Sequence, residues 1–223
     1  MNRVVIKLSG SVFNKPTKSS IKQYATMLQK ISRKVQPIVV AGGGQPARQY
    51  IDLARNLGAD ESSLDDIGIE VSRLNARMLI FALGNKAYSS VPKNLEEVNM
   101  AAESGKIVVT GGLHPGQSTN ATSALIAEKV KAKSFINATD VDGIYDSDPR
   151  KNKKAKKMKR INVRELLDLL SSERSIAGTY DLMDTVALKV IDRSKIHTRV
   201  IKADVNTIKR AVDGSAVGTE IIT

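Results

Sequence analysis

Cysteine and tryptophan are both absent from this 223-residue chain. Without thiols there is no disulfide framework and no thiolate metal site. Histidine occurs only as His114 and His197, in unrelated contexts, which argues against a zinc centre. No apolar run approaches the roughly 20 residues that a membrane-spanning helix needs. Met1 opens directly onto a strand-like run without the pattern of a signal peptide. The expectation is a cytoplasmic protein with no membrane contact. Two common phosphate-binding signatures are missing as well: the GxxxxGK[ST] loop and the protein-kinase motif set.

Charge is unevenly spread. Lys and Arg number 35 against 23 Asp and Glu, a formal net charge of +12. Eight of the eleven residues from Arg150 to Arg160 are basic, so without that run the net charge falls to +4. Such a run reads first as a solvated loop, and otherwise as a contact for nucleotide phosphates or nucleic acid. Aromatic residues make up only 4% of the chain and none interleaves with the run. Stacking on single-stranded bases relies on such aromatics, so nucleic acid is not the expected partner.

What is present is an alternation of strands and helices. Val4–Leu8, Pro37–Ala41, Lys106–Thr110, Ser134–Ala138, Arg199–Ala203 and Thr219–Ile222 read as strands, with a weak one at Ala87–Val91. Helical spacing covers Pro16–Lys34 (capped by Thr17), Ala47–Leu57, Ile67–Leu83, Leu95–Glu103, Thr119–Val130, Val163–Leu170 and Asp184–Arg193. The segment from Gly58 to Asp66 reads as a polar loop. The core strands are continuous apolar runs, the mark of a mainly parallel sheet covered on both faces. The expected fold is a three-layer α/β/α sandwich, a single domain over residues 1–223.

Glycine follows three of these strands: Ser9-Gly10-Ser11, Gly42-Gly43-Gly44 and Gly111-Gly112. In a parallel sheet the C-terminal strand ends share one edge, so the three turns can converge. Glycine there lets backbone N–H groups approach an anion, and the next helix adds its positive N-terminus. The dinucleotide fingerprint is a rival reading of Gly42-x-Gly44-x-x-Ala47, with Asp65 at about the right distance. Against it, these glycines follow the second strand, Pro46 sits in the turn, and no strand leads to Asp65. Lys7 interrupts the first apolar run immediately before its turn. Alone it reads as a solvated edge-strand lysine. Beside the glycine turns it reads as a cation pointing into the ligand crevice.

Five stretches together resemble the amino acid kinase family. They are Lys7-Leu8-Ser9-Gly10-Ser11, Gly42-Gly43-Gly44 with Arg48, Asp65-Asp66-Ile67-Gly68 leading to Arg73-Leu74-Asn75-Ala76, Thr110-Gly111-Gly112, and Thr139 to Pro149 with its VDGIYxxDP core. They occur in family order and span essentially the whole chain. The Asp65 to Ala76 stretch and Pro115-Gly116-x-x-Thr119 resemble the UMP-phosphorylating branch of archaeal type. The resemblance implies the reaction ATP + UMP → ADP + UDP, with an N-terminal UMP-binding part and an ATP-binding part from about residue 134.

Residue by residue, the resemblance implies a catalytic Lys7 lying between donor and acceptor phosphates and an Asp184 important for activity. On physical grounds Asp184 would orient Lys7, while as a structural residue it would cap the helix that follows. ATP is expected at Ser9, Gly10, Ser11, Gly44, Arg48, Thr139, Tyr145 and Asp148. UMP is expected at Gly43, Asp65, Leu113, His114, Pro115, Gly116, Gln117, Ser118 and Thr119. His114 is not needed as a base, because the acceptor is already a phosphate dianion. Mg²⁺ is implied by ATP and would be held mainly by nucleotide phosphates, since no dedicated carboxylate cage is visible. A hexamer built from dimers is implied too. One departure stands out: Asn120 follows Thr119 where many relatives carry Asp. Two other functions stay open at this stage. One is a family member acting on another substrate, such as isopentenyl phosphate, glutamate or acetylglutamate. The other is a nucleic-acid-binding regulator using the basic run.

Overall fold

The structure is a computed structural model that describes residues 1–147, 152–171 and 182–223. Among these residues seven strands form one sheet. They are β1 (Arg3–Leu8), β2 (Gln36–Ala41), β3 (Val108–Thr110), β4 (Ser134–Thr139), β5 (Arg160–Asn162), β6 (His197–Lys202) and β7 (Thr219–Ile222), in the order β3-β2-β1-β4-β6-β7-β5. All pairs are parallel except β6–β7. Asp148 lies outside the described residues, as do Arg150 and Lys151 of the basic run.

The described helices are α1 (Lys18–Ile31), α2 (Gly44–Asn56), α3 (Glu61–Leu83), α4 (Leu95–Glu103), α5 (Thr119–Lys129), α6 (Val163–Ser171), α7 (Thr185–Ser194) and α8 (Val205–Val212). Side chains alternate across a strand, and β1 divides them between two cores. Val4, Ile6 and Leu8 join α1, α3 and α8 on one face of the sheet. Val5 joins α4, α5, α6 and α7 on the other. This is the expected α/β/α sandwich. By the same alternation Lys7 falls on the Val5 face. It lies on a central strand, paired in register with Val40 of β2 and Asn137 of β4, and is 7% exposed. The edge-strand reading of Lys7 is therefore wrong.

The topology fixes where a ligand fits. From β1 the chain runs outward through β2 and β3, then returns to place β4 on the other side of β1. Neighbouring connections diverge at that switch point and leave a crevice beyond the carboxyl ends of the strands.

Local chemistry explains several boundaries. Thr17 and Ser20 form a reciprocal capping box on α1. Helix α3 begins at Glu61, six residues before the expected start at Ile67, because the Asp60 carboxylate accepts the Ser63 N–H at 3.0 Å. Asp65 and Asp66 are thus inside the helix, and neither caps it. The weak strand at Ala87–Val91 reduces to one bridge, Ala87 to Ile107. β5 and α8 are additions that the periodicity did not announce.

The segment after β4 is pinned by β7. The buried Thr219 hydroxyl accepts the Ile144 N–H at 2.8 Å and donates to the Met158 carbonyl at 2.6 Å. Replacing Thr219 by Val keeps the shape and orphans both backbone groups. Thr219→Val should cost about 1–3 kcal/mol in denaturant unfolding, with Thr219→Ser recovering most of it. A valine variant as stable as the parent would show that this bond does not hold the segment.

Candidate active site

The end of β1 is tied to both of its neighbours. Ser9 N–H donates to the Ala138 carbonyl at 2.8 Å, and Gly42 N–H donates to the Leu8 carbonyl at 2.9 Å. The chain then turns through a short 3-10 segment, Gly10–Phe13, in which the Ser9 hydroxyl accepts the Ser11 N–H at 3.2 Å. A Cβ on Gly10 would overlap the backbone nitrogen of Gly44, and one on Gly44 would overlap the Gly10 carbonyl. Gly44 also has φ +71°, which disfavours any side chain. The first two glycine turns therefore lie backbone against backbone. Two asparagines lock them. Asn14 accepts the Gln45 N–H at 2.7 Å, and Asn75 donates to the carbonyls of Gly42 and Gly43 at 2.9 and 3.2 Å.

A crevice of about 420 Å³ opens over these turns. Its walls include Lys7, Ser9, Gly10, Ser11, Gly43, Gly44, Arg48, Ser118, Thr119, Thr139 and Asp184. Eleven residues singled out from the sequence thus meet in one place. Gly42, Asn120 and Asp140, quoted in the sequence motifs without an assigned ligand, line it too, and so do Asn14 and Gln45, which the sequence did not point to. The amino ends of α2, α5 and α7 all reach this crevice, at Gly44, Thr119 and the Asp184 cap. Each contributes the positive end of a helix dipole, although side chains already take some of the first N–H groups: Asn14 at α2, Ser118 at α5 and Asp184 at α7. With Lys7 and Arg48 they make a cavity suited to several phosphate groups.

The carboxylates here are occupied. Asp184 Oδ1 accepts the Ala187 N–H at 2.9 Å as the cap of α7, and Oδ2 accepts a very short hydrogen bond from the Ser118 hydroxyl. Ser118 in turn accepts the Asn120 and Ala121 N–H groups as the cap of α5. One Ser–Asp contact thereby joins two helix starts at the crevice wall. Asp140 accepts the Thr139 hydroxyl at 2.9 Å.

The remaining sequence-derived residues that are described do not line this crevice. Asp65 accepts the Gly116 N–H at 2.7 Å, so α3 holds the exposed loop of His114, Pro115 and Gly116. Leu113 is buried in the core, and Arg73 grips the loop base through the Gly112 and Leu113 carbonyls at 3.1 and 3.2 Å. The Gln117 side-chain oxygen is buried without a partner. The third glycine turn does not join the other two. Gly112 N–H is taken by the Ser72 hydroxyl at 2.8 Å, and a Cβ on Gly111 would overlap that same hydroxyl. These glycines serve close packing on α3, so their expected phosphate role is corrected.

Tyr145 donates its hydroxyl to Asp142 at 2.6 Å, and that hydrogen bond pushes the phenol pKa up to about 12. Burial acts to raise the Asp142 carboxyl, but the Tyr145 hydroxyl and the Lys157 ammonium at 2.9 Å outweigh it and lower its pKa. The tyrosine is a neutral donor across the ordinary pH range, with its ring left for contact.

Comparison with known proteins agrees with this geometry. The sequence model of the amino acid kinase family matches residues 2–202. A uridylate kinase of Methanoculleus marisnigri is 46% identical over 99% of this chain and 96% of its own. One from Methanobrevibacter smithii is 40% identical over 99% of both. The crystal structure of uridylate kinase from Archaeoglobus fulgidus superimposes with a TM-score of 0.89 at 41% identity, covering 99% of this chain and all of that one.

The backbone contact between the glycine turns gives a direct test. Gly10→Ala should drive the turns apart and weaken ADP binding by at least about tenfold in equilibrium titration. Unchanged ADP affinity would mean that the crevice does not hold phosphates through these turns.

Proposed function

We propose that this chain, which belongs to the amino acid kinase family, transfers the γ-phosphoryl group of ATP to UMP, giving ADP and UDP. The observation that carries this reading is the convergence of Lys7, two interlocked glycine turns and three helix starts on one crevice at the sheet's switch point. The uridylate kinase names of its relatives supply the substrate pair.

Phosphoryl transfer requires two anions held in line and the charge on the moving group neutralised. An oxygen of the UMP phosphate forms the new bond to the γ-phosphorus as the bond to the β-phosphate oxygen breaks, and ADP leaves with that electron pair. Lys7 provides the fixed cation between donor and acceptor. Backbone N–H groups of Gly10, Gly43 and Gly44 hold the phosphate oxygens, with Gly43 on the UMP side and Gly44 on the ATP side; the Ser9 N–H is committed to the Ala138 carbonyl, so Ser9 is left with its hydroxyl. Arg48, one turn into α2, reaches the ATP phosphates, and Ser11 and Thr139 complete that side. Tyr145 and Asp148 receive the adenosine. Asp65 and residues 113–119 hold UMP. Asp184 fixes the amino end of α7 and positions Lys7. His114 is exposed and has no base to be, because the acceptor phosphate is already ionised.

Among the described residues no three His, Cys, Asp or Glu side chains cluster as a metal site. A Mg²⁺ arriving with ATP would be held mainly by the nucleotide phosphates and would neutralise part of their charge. No described helix is long and apolar enough to cross a membrane, and a cytoplasmic setting suits both nucleotides.

Self-association belongs to the same proposal, a hexamer by family resemblance. Tyr50, Leu53 and Leu57 form an exposed apolar stripe on α2, and Leu74, Met78 and Phe81 form another on α3, against which α2 packs. Exposed apolar surface of this kind marks a protein–protein contact.

Two measurements test these readings. ADP release should be fastest with UMP among UMP, CMP, isopentenyl phosphate, glutamate and acetylglutamate, and Lys7→Ala should lower turnover by about 10²–10³-fold with little change in UMP affinity. Equal rates with all acceptors, or a fully active Lys7→Ala enzyme, would overturn the assignment. Sedimentation should show an oligomer that Leu74→Glu with Phe81→Glu dissociates. A monomeric parent protein would defeat the assembly proposal.

A further inference from the structure

A second concavity, about 740 Å³, shares no lining residue with the crevice. It is bounded by β5, β6, β7, α8 and the loop after β4. Six cations line it: Lys157, Lys159, Arg160, Arg199, Lys202 and Arg210. Two carboxylates line it with them, and a third, Asp204 at the cap of α8, acts on Lys202 from beside it. Glu220 already serves Arg160 at 3.0 Å, Arg199 at 3.3 Å and His197 at 2.8 Å. Asp142 is held by Lys157 and Tyr145. The Arg160 hydrogen bond leads the causes that lower the Glu220 pKa, so the carboxylate stays ionised and still leaves the cleft strongly positive. Among the described residues Lys159, Lys202 and Arg210 make no ion pair.

The anchor of this cluster is not a loose surface residue. The Arg199 side chain is 13% exposed, and its guanidinium also donates to the Val217 carbonyl at 3.2 Å. Three of the six cations come from the carboxyl end of the basic run. β5 pairs with β7 and thereby carries that run against Arg199, with Arg160 opposite Glu220 in register. A concave wall of one sign focuses its field into the enclosed space. The volume suits a small ligand rather than a flat surface contact.

We propose that this cleft binds an oligophosphate anion, a nucleoside triphosphate or inorganic triphosphate, through its phosphate chain and apart from the phosphoryl-transfer crevice. Among the described residues its apolar side chains are Ala216 and Val217, and no aromatic residue lines it for base stacking. The cleft should therefore read charge and not the base. The lack of aromatics also separates it from a single-stranded nucleic-acid surface.

The test is an equilibrium titration of the full chain with inorganic triphosphate at low salt, in excess ADP to fill the crevice. One triphosphate per chain is expected beyond the ADP, displaced about equally by ATP, GTP and UTP. Lys202→Gln with Arg210→Gln should weaken it by about tenfold or more and leave UMP phosphorylation at the parent rate. Absence of the additional site, binding indifferent to the double substitution, or a strong preference for one base would each overturn the proposal. So would capture of a single-stranded RNA oligonucleotide that triphosphate fails to displace, which would make the cleft a nucleic-acid surface.

Discussion

A lysine buried on a central strand is the constraint around which the rest is built. Lys7 is flanked on both sides by parallel strands and is almost fully covered. A buried ammonium is costly unless it faces polar groups or an anion. The strand therefore ends one residue later, and Ser9 and Gly10 turn the chain before the apolar core could close over the charge. That turn needs a second turn packed on it, which is why Gly10 and Gly44 touch through their backbones and why Asn14 and Asn75 tie them down. The same contact that relieves the lysine creates the N–H lining for phosphates.

A large part of the positive potential in the crevice comes from the backbone, three helix starts at about half a charge each beside two full cations. Lys7 and Arg48 are its only lining cations among the described residues. Three helix starts supply the rest, and their dipoles are fixed by the fold, so no side chain has to be reorganised when charge moves. Carboxylates are used for geometry: Asp184 caps α7 and links it to α5 through Ser118. Asn120 fits that scheme. It is buried at the start of α5, with its side-chain oxygen unpaired. Aspartate there would add a negative charge to the wall, whereas asparagine leaves the crevice one charge more favourable to phosphate.

The parts legible in the sequence were those where backbone geometry dictates residue type. Glycine at positions 10 and 44 is forced by contact, Thr17 by a cap, and the uninterrupted apolar runs by a two-faced sheet. The illegible parts were those set by distant partners. β5 has one buried residue inside a basic run, and its strand character comes from pairing with β7. α8 is short and polar, and it follows an Asp204 cap that resembles any loop aspartate. The start of α3 was hidden because Asp60, Asp65 and Asp66 all read as turn formers, and only the Asp60–Ser63 bond decides among them. The third glycine turn misled for a similar reason. Its sequence matches the first two, but Ser72 takes the N–H that an anion would need.

Net charge was the least specific signal, and the structure shows why. The sequence places +12 on the chain, which invites an explanation by phosphate chemistry. Yet the crevice has only two lining cations among the described residues, with helix starts adding to their field. The larger concentration of basic side chains, six of the 35, stands around a different concavity with Glu220 at its centre. A buried crevice is better served by dipoles, because each added ammonium carries a desolvation cost that a backbone N–H already within a helix does not. A solvated cleft has the opposite economics, since long basic side chains keep their heads in water until an anion arrives. The two regions thus differ in how they present positive charge, and the carboxyl end of the basic run, Lys157, Lys159 and Arg160, lines the second.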